Sequence, residues 1–145
     1  MYLPFHKLGG VVVINRSVVE IVTEWDIVAA RQLGRNEAKE IGFGTVDQAR
    51  IATAISELAR SIYLYALAGE IIIERVTDGE SIGIRIIAVD KGQSVMDVRK
   101  VMEDKFSKSV GLSAGLPGVK RLMDDLEIKS VVGKGTIIKT EKWLK

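Results

Sequence analysis

The clearest hydrophobic pattern in the chain lies between residues 45 and 66. Apolar side chains recur there at steps of three and four residues, the spacing that places them on one face of a helix. Thr45 and Gln48 form a capping-box pattern at its start, with the Thr hydroxyl expected to cap the helix. The pattern predicts one long helix whose buried stripe consists of Ile51, Ile55, Leu58, Ile62 and Tyr65.

Two strands and a second helix are predicted before this segment. Residues 17–22 are rich in β-branched side chains and predict a strand, and residues 11–14 predict another short one. Thr23 is a suitable N-cap, so a helix is expected from there to about Ile41, with Gly42 as the residue that ends it.

The second half of the chain alternates strand-like and helix-like segments. Residues 70–77 and 81–89 predict a hairpin around Asp78-Gly79, since Asp-Gly favours a tight turn. Helices are expected at 95–106 and 115–126, and a closing hairpin of 127–132 and 135–143 turns at Gly133-Lys134. This order predicts an α+β two-layer sandwich, with helices on one face of a mixed, mostly antiparallel sheet. We expect one domain at residues 18–145, after an extension at residues 1–17.

Composition narrows the classes of function. The chain has 145 residues, of which 47% are hydrophobic and 28% charged, as in an ordinary globular domain. It has no cysteine and one histidine, which excludes disulfides, thiolate zinc sites, a cysteine nucleophile and multi-histidine metal sites. A net charge of +2 gives no reason to expect nucleic acid. Without a long apolar run or signal sequence, we expect no membrane span and a cytoplasmic location.

Two pairs of residues carry the first candidate chemistry. Glu57 and Ser61 lie four apart on the predicted long helix and so share one of its faces, where a carboxylate can act as a general base. Such spacing is more often a solvated helix face. Asp90 and Gly92 follow an apolar strand, where an acid can accept a hydrogen bond and a glycine lets a flat ring approach. Alone, that pattern is more often a turn.

Two glycine-rich segments follow. Residues 111–118, Gly-Leu-Ser-Ala-Gly-Leu-Pro-Gly, lead into a predicted helix, and amides at such a start can bind phosphates. A flexible connection is the simpler reading, and the segment is neither a Walker loop nor a dinucleotide-binding fingerprint. Gly135-Thr136 lies in the last hairpin and by itself predicts only a turn.

The order of these four motifs is more specific than any one of them. The chain has, in this order, a helix with Glu, a strand ending in Asp-x-Gly, a glycine-rich segment opening a helix, and Gly-Thr in a hairpin. This order resembles the N, G1, G2 and G3 boxes of the GHKL superfamily. That superfamily has the Bergerat fold and includes gyrase, histidine kinases and MutL. Residues 23–35, 42–50 and 115–123 resemble the serine/threonine kinases that serve as switches of the stressosome. This resemblance covers roughly residues 18–144.

The resemblance implies an ATP-dependent serine/threonine protein kinase that uses Mg²⁺. Its implied partners are STAS-domain proteins of the stressosome and then a PP2C-type phosphatase, which leads to release of a stress sigma factor. By position, Glu57 is the implied general base and Ser61 stands where the family has its magnesium-binding Asn. The implied nucleotide contacts are Asp90 and Gly92 at adenine, Gly111, Gly115, Leu116 and Gly118 at the phosphates, and Thr136 at the adenine end.

Departures from the family pattern concentrate in that implied site. Ser61 replaces Asn, Ser94 replaces the second glycine of the G1 box, and Val110 and Ser113 stand at glycine positions of the lid. Serine is shorter than asparagine, and a β-branched residue resists the positive φ that glycine adopts freely. Two hypotheses therefore remain: an active kinase, or a catalytically weakened pseudokinase that binds partners or acts as an anti-sigma factor.

Overall fold

The computed structural model describes residues 10–66, 68–91, 116–131 and 135–145. Within these ranges the strands and helices follow one another in the order that the sequence predicts, except that the first two predicted strands form one strand. In chain order the elements are β1 (Val12–Glu20), α1 (Glu24–Ile41), α2 (Thr45–Tyr65), β2 (Gly69–Thr77), β3 (Ile82–Asp90), α3 (Leu116–Leu122), β4 (Asp125–Val131) and β5 (Gly135–Trp143).

The strands form one sheet in the order β1-β2-β3-β5-β4, with β5 between β3 and β4. Each described pairing is antiparallel, so the described part of the sheet contains no parallel pair. The helices pack on one face of the sheet, which confirms the predicted α+β sandwich. β1 is a single strand that joins residues 12–14 and 17–20 of the two predicted strand segments, whereas residues 11, 21 and 22 lie outside it. It also crosses the domain boundary expected between residues 17 and 18. None of the helices in the described ranges is long and apolar enough to span a membrane.

The main core lies between the helices and the sheet. Ile55 and Leu58 of α2 meet Ile71 and Ile73 of β2 there, and Ile86 of β3 joins them. The predicted stripe on α2 is confirmed for four of its members, since Ile51, Ile55, Leu58 and Ile62 are at most 1% exposed. Tyr65, the last residue of the stripe, is only partly buried because the helix ends there.

The ends of α1 follow the predicted signals. The Asp26 carboxylate accepts the backbone N–H of Thr23 at 2.7 Å and that of Val22 at 2.8 Å. These two hydrogen bonds hold the pKa of Asp26 below its ordinary value, because they stabilise the ionised carboxylate. Gly42 ends the helix with φ of 119°, a conformation that favours glycine.

The predicted cap of α2 is wrong by one residue. Gly44 is the N-cap and Thr45 is already the first helical residue. The helix begins earlier because the Gly44 carbonyl already accepts the Gln48 N–H at 2.9 Å. The Gln48 side chain reaches back further, and its amide nitrogen donates to the Phe43 carbonyl at 2.8 Å.

The predicted helix 115–126 is also too long, because α3 ends at Leu122 and β4 starts at Asp125. Contacts with β5 cause this early end. The Leu122 carbonyl accepts the Lys142 ammonium at 3.0 Å, and the Asp124 N–H donates to the Glu141 carbonyl at 2.9 Å. The predicted helix 95–106 and the turn at Gly133-Lys134 lie outside the described residues.

A row of charged residues crosses the sheet on the face away from the helices. Cross-strand register places Arg16, Glu74, Arg85, Glu141 and Asp125 side by side on successive strands. The Arg85 side chain is buried between two carboxylates, 2.6 Å from Glu141 and 3.4 Å from Glu74. Pairing of opposite charges allows these groups to be buried at an acceptable free-energy cost.

Candidate functional site

A short row of polar residues occupies one end of the sheet. Asp90, at the end of β3, lies directly opposite Thr136 of β5, and Thr136 lies opposite Ser130 of β4. The hydroxyl oxygens of Ser130 and Thr136 are 3.1 Å apart and share a hydrogen bond. The structure therefore brings together the acid of the second predicted motif and the threonine of the fourth.

This polar row lies on the face of the sheet that the helices cover. Side chains alternate between the two faces of a strand, and Ala88 and Ile138, two residues before Asp90 and after Thr136, belong to the main core. Asp90 and Thr136 are themselves only partly buried. A ligand placed at this end of the sheet would therefore lie beside a carboxylate, a hydroxyl and an apolar floor.

Gly69 joins this row to the long helix α2. It lies opposite Asp90 in the β2–β3 ladder. A Cβ atom at Gly69 would lie 2.5 Å from the Val89 carbonyl oxygen and 2.6 Å from Cγ2 of Ile62. The helix that carries Glu57 and Ser61 can approach the end of β3 this closely only because residue 69 has no side chain. Gly69 is not among the residues predicted from the motifs, although a glycine soon after a long helix is a usable signal.

Glu57 and Ser61 lie one turn apart on α2, as predicted. The Ser61 hydroxyl donates to the Glu57 carbonyl oxygen at 3.1 Å, and its side chain is buried. Serine commonly makes this bond to the carbonyl four residues earlier in a helix. The Glu57 carboxylate is partly exposed and can reach a ligand or solvent. The hydroxyl proton of Ser61 is therefore engaged within the helix, while the Glu57 side chain remains available for chemistry.

The helix α3 carries two of the predicted phosphate contacts, Leu116 and Gly118. It packs against α2, with Leu116 partly buried against the core and Gly118 exposed. Lys142 of β5 fixes the end of α3 by donating to the Leu122 carbonyl, and its ammonium lies 3.9 Å from Asp47 of α2. This buried lysine thus ties α3, α2 and the sheet together.

The remaining predicted residues are not described by the structure. Gly92, Gly111 and Gly115 lie outside the described ranges, and so do the departures Ser94, Val110 and Ser113. Within the described ranges, no group of three or more acidic, histidine or cysteine side chains is placed to hold a metal ion. The described part of the candidate site therefore consists of the polar row at the end of the sheet and the face of α2 that carries Glu57 and Ser61.

Comparison with known proteins identifies the family. No family model matches the chain. The chain is 66% identical over 131 residues to the serine/threonine-protein kinase RsbT of Bacillus subtilis (strain 168). The match covers 90% of this chain and 98% of that protein. The chain belongs to the RsbT family of serine/threonine-protein kinases. The match therefore covers nearly the whole of RsbT.

More distant relatives of this chain are named as anti-sigma factors. Anti-sigma F factors of Thermoanaerobacter sp. (strain X514) and Caldanaerobacter subterraneus subsp. tengcongensis are each 29% identical to it, over 102 and 103 residues. Each match covers 66% of this chain and 70% of the relative. This chain is therefore also similar in sequence to proteins named as anti-sigma factors.

Proposed function

We propose that this chain transfers the γ-phosphoryl group of ATP to a serine or threonine of a STAS-domain stressosome protein. Once that partner is phosphorylated, the freed kinase activates a PP2C-type phosphatase, which leads to release of a stress sigma factor in the cytoplasm. The observation that carries the proposal is the placement of Asp90 opposite Thr136, joined through Gly69 to the helix that presents Glu57. The RsbT relationship supports the same reaction.

Asp90 is the proposed acceptor for the amino group of adenine. Its partly buried carboxylate lies at the strand end beside Thr136, whose hydroxyl can donate or accept a hydrogen bond. Ser130 orients that hydroxyl from the next strand. Gly92, two residues beyond Asp90, is proposed to leave room for the ring, while Gly111, Gly115, Leu116 and Gly118 contact the phosphates.

Glu57 is the proposed general base. Its carboxylate accepts the proton of the attacking hydroxyl, which makes that oxygen a better nucleophile toward the phosphoryl group. ATP, when bound, would supply the γ-phosphoryl group and leave as ADP. The burial of Ile55, Leu58 and Ile62 fixes the rotation of α2, so the Glu57 side chain is held at the surface.

Ser61 fits a magnesium ion less well than the Asn of the family. Its hydroxyl donates into the helix, and the side chain is shorter, whereas Mg²⁺ requires oxygen ligands at about 2.0–2.1 Å. The oxygen of Ser61 retains a lone pair that can accept a hydrogen bond from a water. We therefore propose that Ser61 would assist a bound Mg²⁺ only indirectly, by accepting a hydrogen bond from a water.

The test is phosphotransfer from radiolabelled ATP to a STAS-domain protein by the Glu57→Gln variant. Loss of the base should slow transfer by roughly 100-fold or more, because general bases contribute about 10²–10⁴-fold. Glu80→Gln is the matched control, since Glu80 lies in the exposed β2–β3 turn. Equal rates for the native chain and Glu57→Gln would rule out this role for Glu57.

A second candidate function is non-catalytic partner binding, including direct binding of a sigma factor. The inward hydrogen bond of Ser61 and the similarity to anti-sigma F factors favour it. The same assay separates the two functions when partner binding is measured alongside it. A pseudokinase would bind its partner tightly, would not transfer phosphate and would not be stabilised against heat by Mg-ATP. Phosphate transfer by the native chain would instead identify a kinase.

A further inference from the structure

The outer surface of α2 carries a regular stripe of side chains that leads to Glu57. Val46, Arg50, Thr53, Glu57 and Arg60 follow one another at steps of four and three residues, so they lie along one side of the helix. Glu57 is partly buried and the other four residues are exposed. The stripe therefore runs from the first turn of α2 to the proposed general base and one turn beyond it.

A groove of about 410 Å³ lies beside the first half of this stripe, where α2 meets the end of α3. The groove is lined by Thr45, Val46, Ala49, Arg50, Thr53 and Leu122. Val46 is 63% exposed there, although its side chain is large and apolar. Aliphatic side chains and threonine methyl groups give the groove a mostly apolar floor. Concave apolar surfaces of this kind are typical binding sites.

Polar contacts hold the groove in shape. The Lys142 ammonium donates to the Leu122 carbonyl at 3.0 Å and lies 3.9 Å from the Asp47 carboxylate. The same carboxylate lies 3.1 Å from the Arg50 guanidinium on the next turn of α2. These contacts fix the end of α3 against the first turns of α2, so the groove is a built part of the fold.

We propose that this groove binds the segment of the substrate protein that carries the acceptor serine or threonine. The proposal rests on the proposed kinase function, because it places the acceptor hydroxyl at Glu57. Along the helix axis, Thr53 lies roughly 6 Å and Val46 roughly 16.5 Å before Glu57. An extended chain covers these distances in about two and about five residues. The substrate segment therefore carries an apolar side chain at this separation from its acceptor.

Charge complementarity adds a second requirement for the substrate segment. Arg60 lies about 4.5 Å beyond Glu57 along the helix axis, is exposed, and forms no ion pair with a residue of the described ranges. Arg50, in contrast, is already paired with Asp47. A substrate carboxylate one or two residues from the acceptor, on the side away from the groove, pairs with Arg60. The occupant is thus a polypeptide segment with an apolar residue on one side of its acceptor and an acidic residue on the other.

Val46→Glu tests the groove by steady-state phosphotransfer to a STAS-domain protein. A carboxylate in the groove should raise the KM for that protein about tenfold or more, while kcat and the KM for ATP stay within about twofold. The variant should fold, because acidic side chains are favourable in the first turn of a helix. Val46→Leu keeps the groove apolar and should keep the native KM.

Val18→Glu is the matched control for this test. Val18 is 49% exposed on β1, and its neighbour Val19 pairs with Ile71 of the main core, so Val18 lies on the sheet face away from the helices. Its substitution should leave all three constants unchanged. An unchanged KM for the STAS-domain protein in Val46→Glu would overturn the groove alone, whereas no transfer by the native chain would overturn the proposed reaction.

Arg60→Glu tests the charge requirement in the same assay. Reversing the charge should raise the KM for the STAS-domain protein about tenfold or more, and Arg60→Lys should restore most of the affinity because it keeps the positive charge. The KM for ATP should not change in either variant. Native KM values in Arg60→Glu would show that the segment carries no acidic residue at this position and would overturn this part of the proposal.

Cross-linking tests the groove without turnover. The chain has no cysteine, so a single introduced one can carry a photoreactive benzophenone. Labelled Ala49→Cys should cross-link to a STAS-domain protein within roughly ten residues of its acceptor, and labelled Val18→Cys should not. A cross-link to a distant part of that protein, a cross-link to a second copy of this chain, or none at all would overturn the groove as the binding site of the acceptor segment.

Discussion

Asp90 and Thr136 are direct partners across β3 and β5, on the sheet face that the helices cover. They are far apart in sequence and belong to two different motifs. The insertion of β5 between β3 and β4 makes them neighbours, and the opposite position on β2 is Gly69. The proposed adenine contacts thus lie directly beside the point where α2 approaches the sheet.

The first prediction concerns Asp90. Asp90→Asn should weaken ATP binding about tenfold, because the amide oxygen keeps the acceptor but loses the charge. Asp90→Ala should weaken it further, up to about 100-fold, as expected for a hydrogen bond to a charged group. Isothermal titration calorimetry measures both affinities. Thr136→Val should cause a smaller loss, and unchanged ATP affinity in both Asp90 variants would show that adenine binds elsewhere.

The second prediction concerns Ser61. Magnesium should enhance ATP binding only weakly in the native chain, because the Ser61 side chain is short and its hydroxyl donates a hydrogen bond to the Glu57 carbonyl. Ser61→Asn should increase the enhancement, together with phosphotransfer to a STAS-domain serine. ATP titrations with and without Mg²⁺ provide the measurement, and Ser61→Ala is the control that removes the hydroxyl alone. Strong magnesium dependence in the native chain would contradict the prediction.

The third prediction concerns the close approach at Gly69. Gly69→Ala should lower the free energy of unfolding by about 1–3 kcal/mol, because the added Cβ overlaps the Val89 carbonyl and Ile62. Urea unfolding measures this change. Gly118→Ala is the control, since no atom of the described residues lies within 4 Å of its Cβ position and alanine favours a helix. The assignment of Gly69 as a contact point fails if Gly69→Ala is as stable as the native chain.

The fourth prediction concerns the pH dependence of stability at Asp125. Burial, and then repulsion from the Glu141 carboxylate, raises the pKa of Asp125 above its ordinary value. Asp125 therefore binds its proton more tightly in the folded state, so its ionisation opposes folding at neutral pH. Asp125→Asn should raise the melting temperature at pH 7, since the Asn oxygen can still accept the Glu141 N–H. The gain should shrink as the pH falls toward the unfolded pKa of Asp, about 3.9, and should be absent below about pH 3, where Asp125 is protonated in both states.

Glu127→Gln is the contrasting control for this prediction. Its hydrogen bond to Lys139 holds the pKa of Glu127 below the ordinary value, so neutralising this carboxylate should give no stabilisation at pH 7. Thermal melts of both variants across this pH range make the comparison. A pH-independent gain in Asp125→Asn would assign the effect to packing and not to charge.

Local features of the chain were predictable because each depends on residues close in sequence. The periodicity of Ile51, Ile55, Leu58 and Ile62 determined both the existence of α2 and its buried face. Gly42 marked the end of α1, because few other residues adopt its positive φ easily, and Asp78-Gly79 marked the β2–β3 hairpin, where Gly79 has φ of 98°. The order of the motifs was enough to indicate the family.

The sequence by itself therefore determined the elements, the buried face of α2 and the residues that carry candidate chemistry. Only the tertiary structure decided that α3 ends at Leu122, that Gly69 admits Ile62 beside the Val89 carbonyl, and that Asp90 faces Thr136. Strand register and close packing depend on residues far apart in the chain. The free energies that determine register and packing arise from contacts between different helices and strands. A local sequence pattern therefore does not predict which distant residue will lie opposite a given residue in the sheet.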